Sequence, residues 1–228
     1  MGLIAKIVGL AITVACWFWA RDHQRSEFWN LVLIWCVPLL QYPITLLSRR
    51  FLDAQPCQKR AEWSSIFAHY AMMIALGVSI FPAIRAVQQE PRGVLPVPEL
   101  PGRVLVWAAA IATAFTVLNL AIRGLGAPFA AKLSSRLATD WMYAWTRNPM
   151  LLCTLALLLS VGLRYRSPWF VAWVLCLVSP GWIFFVRKYE ERELEIRFGS
   201  SYIEYKARTP LLWPHRPHPA EKGKDRVA

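Results

Sequence analysis

Two polar clusters bracket the last two apolar segments of this 228-residue chain. Tyr143 and Arg147-Asn148-Pro149 stand at the head of one; Glu190-Glu191, Leu194, Phe198-Gly199, Tyr202, Tyr205 and Pro210 follow the other. Proline restricts Asn148 to extended backbone. An arginine just outside a helix can present its guanidinium fork to a carboxylate or phosphate, or can snorkel as the positive flank of a membrane segment. Glu190 shares an i±4 stripe with Val186 and Leu194, and a carboxylate on an apolar stripe needs a partner because burying it unpaired is costly. That partner is either an arginine (Arg147 or Arg187) or a ligand group such as a ribose diol, an amino group or a cation; spacing leaves both open. Glu191, beside Lys188 and Glu195 on the more polar face, is expected to form solvated ion pairs.

Six apolar segments, each near the ~20 residues that cross a bilayer, must position these clusters. They run over 3–20, 28–47, 63–84, 104–122, 149–163 and 168–186. The first has no small-residue cleavage site after Trp17-Phe18-Trp19 and is read as a retained helix. The fifth is short and starts at a proline, so it is expected to be tilted or to begin in a non-helical turn at Arg147-Asn148. The expected class is all-α: a polytopic membrane bundle of about six transmembrane helices plus a C-terminal amphipathic helix. Loop 85–103 reads as a proline-rich linker and the tail after Pro214 as disordered.

Composition agrees. The chain is 56% hydrophobic with mean hydropathy +0.34, and Trp63, Trp141, Trp145 and Trp169 stand at segment ends, as in an interfacial aromatic belt. The net charge of +12 lies in loops and tail, which points to orientation and anionic lipid rather than nucleic acid. One side of the six-span arrangement carries 18 Lys and Arg, the other seven. The excess places both termini and the 147–210 clusters in the cytoplasm. Cys16, Cys36, Cys153 and Cys176 lie in apolar segments and Cys57 in a loop, with no C-x-x-C pair, so buried reduced thiols are expected and neither a disulfide framework nor a metal site. His215 and His218 read as solvated, and Gly124-x-Gly126 lacks the βαβ context of a phosphate loop.

Gln41, Thr45, His69 and Asn119 are polar within spans and are expected to face the bundle interior. His69 reads as an interhelical hydrogen-bonding group, with a substrate role as the alternative. Asn119 and Arg123 share a helical face directed at the loop leading to the 147 cluster.

The run Tyr143-Ala144-Trp145-Thr146-Arg147-Asn148-Pro149, followed by Glu190-Glu191-x-x-Leu194-x-x-x-Phe198-Gly199-x-x-Tyr202-x-x-Tyr205 and Pro210, resembles the isoprenylcysteine carboxyl methyltransferases of bacterial type. Related membrane phospholipid methyltransferases carry a looser version. The resemblance covers 123–214 and implies a helical membrane enzyme binding S-adenosyl-L-methionine in a cytoplasm-facing pocket, with a lipidic acceptor entering from the bilayer. It implies cofactor contacts at Leu137, Ala138, Tyr143, Asn148, Pro149, Met150, Leu151 and Glu190, a substrate contact at Arg187, and a catalytic role for Arg147. Trp141 stands where the family often has glycine, Leu151 for a frequent tyrosine and Cys153 for a frequent glycine.

Methyl transfer from a sulfonium to a carboxylate needs alignment and water exclusion but no general base, which favours an anionic acceptor such as isoprenylcysteine. Phospholipid or amine N-methylation is the alternative, followed by an NADPH-dependent sterol-reductase-like enzyme and a non-catalytic scaffold. The expected organisation is four N-terminal spans over 1–122, a methyltransferase core over 123–214 and a tail over 215–228. The setting is a bilayer, the bacterial inner membrane, with a lipidated or amphipathic acceptor as partner.

Overall fold

The structure, a computed structural model, describes residues 2–22, 26–89, 95–123 and 137–215. All six expected segments are helical, and among the described residues there is no strand. They are α1 (Gly2–Asp22), α2 (Glu27–Trp35) running through a 3-10 turn at Val37–Leu40 into α3 (Gln41–Asp53), α4 (Gln58–Gln89), α5 (Glu99–Arg123), α7 (Pro149–Arg164) and α8 (Pro168–Phe198). The short α6 (Met142–Trp145) precedes α7, and α9 (Ser200–Arg208) follows α8. Five helices are long and apolar enough to cross a membrane, and α7 is the shorter apolar one. A lipid environment demands that backbone groups be satisfied within the segment, which these helices do. The chain is an integral membrane protein built as an all-α bundle.

Large apolar side chains point outward from α1 and α5, among them Ile4, Phe18, Trp107 and Phe115. In water that surface would be a liability; in a bilayer it is the face presented to lipid. The core lies between α3, α4, α7 and α8, where Leu52, Leu76, Leu151, Leu155, Phe170, Trp173 and Phe185 pack together. Polar side chains tie the helices across it. Trp173 Nε1–H donates to Ile34 O (2.8 Å), Trp17 Nε1–H to Met73 O (2.9 Å) and Tyr70 Oη–H to Lys6 O (2.9 Å). Gln41, Thr45 and Asn119 are buried as expected. His69 instead bonds within its own helix, Nδ1 to Ser65 O at 2.8 Å, and lays its ring edge-on against Phe185. Its hydrogen bond is intrahelical because the neighbour it meets on α8 is a phenyl ring.

Two further expectations need correction. The described residues of 85–103 are mostly helical: α4 continues through Pro82 to Gln89 and α5 begins at Glu99, leaving 95–98 as the described part outside a helix. No cysteine is buried; Cys36, Cys57 and Cys176 are exposed and Cys16 and Cys153 half-buried, since an apolar segment in lipid has an outward face as apolar as its inward one. Gly124-x-Gly126, the Arg123 side chain, His218 and the 216–228 tail lie outside the described residues.

α1 is held to α4 by close approach. A Cβ at Gly77 would collide with the Trp17 indole, and one at Gly9 with the Tyr70 ring. Gly77→Val is therefore expected to destabilise the protein by about 1–3 kcal/mol through overpacking. Thermal unfolding in detergent checks this, with Trp17→Ala in the same background restoring part of the loss.

Candidate functional site

The head of α7 is built by the turn that the sequence marks. Asn148 takes φ −129° and ψ 61°, Thr146 is extended, and Pro149 is the first helical residue, where its missing N–H costs nothing. The turn is clamped by the segment after α9. Arg147 N–H donates to Pro210 O (2.9 Å), Thr146 Oγ1–H to Leu211 O (2.9 Å), the Asn148 side-chain amide to the same oxygen (3.4 Å), and His215 N–H to Trp145 O (3.1 Å). From α9 itself, Tyr205 Oη–H donates to Tyr143 O at 2.7 Å. The two clusters, some sixty residues apart, thus form one body at one end of the bundle.

Gly199 permits that return. It sits at φ 56° and ψ −133° between α8 and α9, a backbone state glycine reaches without Cβ strain. The reversal buries Tyr202 and Tyr205, whose exposures are 2% each. Burial raises both phenols above the usual tyrosine range; the Glu191 carboxylate adds to this at Tyr202 while Arg147 opposes it.

Inside the clamp, Arg147 Nη1 lies 2.8 Å from Glu191 Oε1, with side-chain exposures of 11% and 9%. The approach is at ion-pair distance but poorly aligned for a hydrogen bond, and the arginine's Nε is buried with no acceptor among the described residues. Lys206 Nζ meets the other Glu191 oxygen at 2.6 Å and Glu195 at 3.1 Å. The solvated role expected for Glu191 is therefore wrong. A helix flank that carries charge need not face water, because α9 and the 146–148 turn cover it. A π turn at Val186–Glu190 also inserts roughly one residue into the helix and breaks the i±4 stripe expected through Val186, Glu190 and Leu194. Glu193 was missed altogether. It is 2% exposed and pairs with Arg197 at 2.8 Å; its i, i+4 spacing to an arginine was the available signal.

Glu190 differs from both neighbours. It is half-buried, and among the described residues its carboxylate has neither a hydrogen bond nor an ion pair. Neither Arg147 nor Arg187 partners it, since Arg147 is engaged by Glu191 and Arg187 is exposed. Its charge is felt at Tyr143, whose hydroxyl is raised above the ordinary range by burial and then by Glu190. Leu137 and Ala138 precede this cluster outside any helix, Ala138 buried. Met150 and Leu151 occupy the first turn of α7, where backbone N–H groups lack helical acceptors; the Leu151 side chain itself belongs to the core. Cys153 is half-buried one half-turn further on.

Trp141 carries the strain that a glycine would avoid. Its φ is 52° with ψ −121°, and its side chain is 61% exposed. The indole therefore lies outward.

Residues 102–201 match the family model for phospholipid methyltransferases. This segment belongs to the group formed by those enzymes and the isoprenylcysteine carboxyl methyltransferases. No curated protein and no solved structure matches the chain. The methyltransferase segment begins one helix earlier than the motif resemblance did, taking in α5, and ends within α9. The chain thus carries a membrane-methyltransferase segment, and the clamped end of the bundle holds the motif residues.

Two predictions follow from this geometry. Glu191→Gln leaves Arg147 buried without its counter-charge and is expected to cost about 3–5 kcal/mol, whereas Glu190→Gln removes no protein contact and relieves an unpartnered charge, and is expected to hold or raise the stability of the ligand-free protein. Thermal melts of the two variants in detergent separate the roles. Trp141→Gly relieves a positive φ worth about 1–3 kcal/mol against roughly 1 kcal/mol of added backbone entropy. It should hold or raise the melting temperature by a few degrees, and a clear fall would show that the indole is anchored.

Proposed function

We propose that this membrane methyltransferase uses S-adenosyl-L-methionine and methylates the carboxylate of a lipidic acceptor such as an isoprenylcysteine. The observation carrying the reading is the Glu190 carboxylate, half-buried and unpartnered in a cluster where both neighbouring glutamates are paired. A charge left in that setting is costly unless a ligand completes it. The donor's sulfonium supplies an activated methyl group when bound. Glu190 accepts hydrogen bonds from its ribose hydroxyls or amino group, strengthened by the low dielectric. Tyr143, Leu137, Ala138, Asn148 and Pro149 wall the site, and the free N–H groups of Met150 and Leu151 offer donors to its carboxylate. Arg147, through the buried Nε that no protein acceptor uses, orients the acceptor anion, and Arg187 attracts it from the surface. A carboxylate has no proton to lose, so alignment and exclusion of water suffice.

A second reading, methylation of a phospholipid amine headgroup, draws on the description of the matched family. The distribution of Lys and Arg supports a site on the cytoplasmic side, with both termini there and the bacterial inner membrane as the location.

Calorimetric titration of the detergent-purified protein with S-adenosylhomocysteine, beside NADPH, tests the donor. Saturable binding of the first alone is expected. Glu190→Gln should weaken it about ten-fold or more, as a charged hydrogen bond of about 1.5–3 kcal/mol is lost. Unchanged affinity in the folded variant would remove Glu190 from the site. Methyl transfer to a farnesylcysteine analogue, and none to an ethanolamine phospholipid, is the outcome expected for the acceptor.

A further inference from the structure

Outside the motif clusters, Ser48 and Asn119 are the buried side chains whose whole hydrogen-bonding capacity is unused among the described residues, and of the two Asn119 alone leaves a separate donor and acceptor unmade. It is 3% exposed, and both Oδ1 and Nδ2 lack a partner. Leaving a buried amide unsatisfied is unfavourable, because it has given up its hydrogen bonds to water and made none in return. The hydroxyls beside it show the contrast: Thr116 donates to Thr113 O (2.7 Å) and Thr113 to Ala109 O (2.8 Å), each satisfied within α5.

Its position follows from the packing of α5. Among the described side chains of that helix, Gly102, Ala109, Thr116 and Asn119 are buried and form one stripe at helical spacing, while most of the helix faces outward. The stripe lies on α7. A Cβ at Gly102 would stand 3.0 Å from the Cα of Arg164, the last residue of α7, so the two helices run antiparallel in close contact. At ~1.5 Å per residue, Asn119 lies about 25 Å along α5 from that point, and the first residue of α7 about 22 Å back along its partner. Asn119 is therefore level with the Arg147-Asn148-Pro149 turn. The segment matched to the methyltransferase family includes it.

We infer that Asn119 is a ligand-binding residue of the methyl-transfer site, its carboxamide pairing edge-on with the donor–acceptor edge of the adenine in an S-adenosyl donor. A planar amide offering one N–H and one oxygen side by side matches an amino group next to a ring nitrogen, as in asparagine pairs with adenine. Such a pair rejects ligands lacking that edge, because the buried amide is then left unmade. The inference rests on the S-adenosylmethionine reading above and adds the recognition of the base.

The test compares the full-length parent with Asn119→Leu and Asn119→Gln in detergent, using S-adenosylhomocysteine and 5′-methylthioadenosine as calorimetric probes. Methylthioadenosine keeps the base and ribose but lacks the amino-acid arm. Binding of S-adenosylhomocysteine by the parent tests the donor reading on its own; if the parent binds neither probe, that reading falls and the base assignment with it. Given parental binding, Asn119→Leu is expected to weaken both probes by the same factor, about ten-fold, without lowering the melting temperature of the ligand-free protein. Equal affinities in parent and a folded Asn119→Leu would overturn the inference. Loss of S-adenosylhomocysteine alone would overturn the base assignment by moving Asn119 to the amino-acid arm. Should Asn119→Leu fail to fold, Asn119→Gln decides in its place: displaced by one methylene, it is expected to weaken both probes, and parental affinity would overturn the proposal.

Discussion

The buried pair of Arg147 and Glu191 is the constraint on which the site depends. Neither charge is tolerable alone at that depth, so the turn before α7 and the end of α8 must meet wherever the protein is folded. Backbone and hydroxyl bonds from Thr146 and Arg147 to Pro210 and Leu211 then fix the spacing that the charges require. The pair carries direction as well as attraction. By engaging Arg147, Glu191 leaves its neighbour Glu190 without a protein partner, and an unpaired carboxylate is what a cationic or hydroxyl-bearing ligand can use.

The bundle beneath has the opposite character. In lipid there is no hydrophobic drive between helices, so close backbone approach and a few hydrogen bonds hold them together. Gly77 under Trp17, Gly102 against α7, and the indole donors of Trp17 and Trp173 perform that work here. A site at the rim of such a bundle gains a low-dielectric wall on one side and a covered polar cap on the other. That arrangement strengthens every charged contact inside it.

The helix that joins cap and membrane explains where sequence reasoning failed. Over its apolar part, α8 behaves as a span whose outward face meets lipid. Beyond it, the same helix is wrapped on several sides: α9 and the 146–148 turn cover Glu191, and the flank carrying Glu193 is buried with Arg197. One polar stripe on a helix implies one solvent-facing side, whereas this helix end is covered on both, so Glu191 and Glu193 are each buried and paired. Trp141 is a second instance. The sequence marked it as a bulky residue in a glycine position, while the positive φ shows the position to be a backbone constraint with the indole directed outward.

What the sequence determined alone was set by local chemistry: six helices from six apolar runs, the non-helical turn from Arg-Asn-Pro, and the family group from paired motifs. Runs of apolar residues in lipid must be helical, and proline restricts the backbone wherever it stands, so these features need no knowledge of neighbours. The tertiary structure decided which charge meets which. Three glutamates within four residues look alike in sequence; Arg147 and Lys206, brought from 44 positions before and 15 after Glu191, distinguish them. Pairing of this kind depends on distances between segments far apart in the chain, and only the folded arrangement sets those distances.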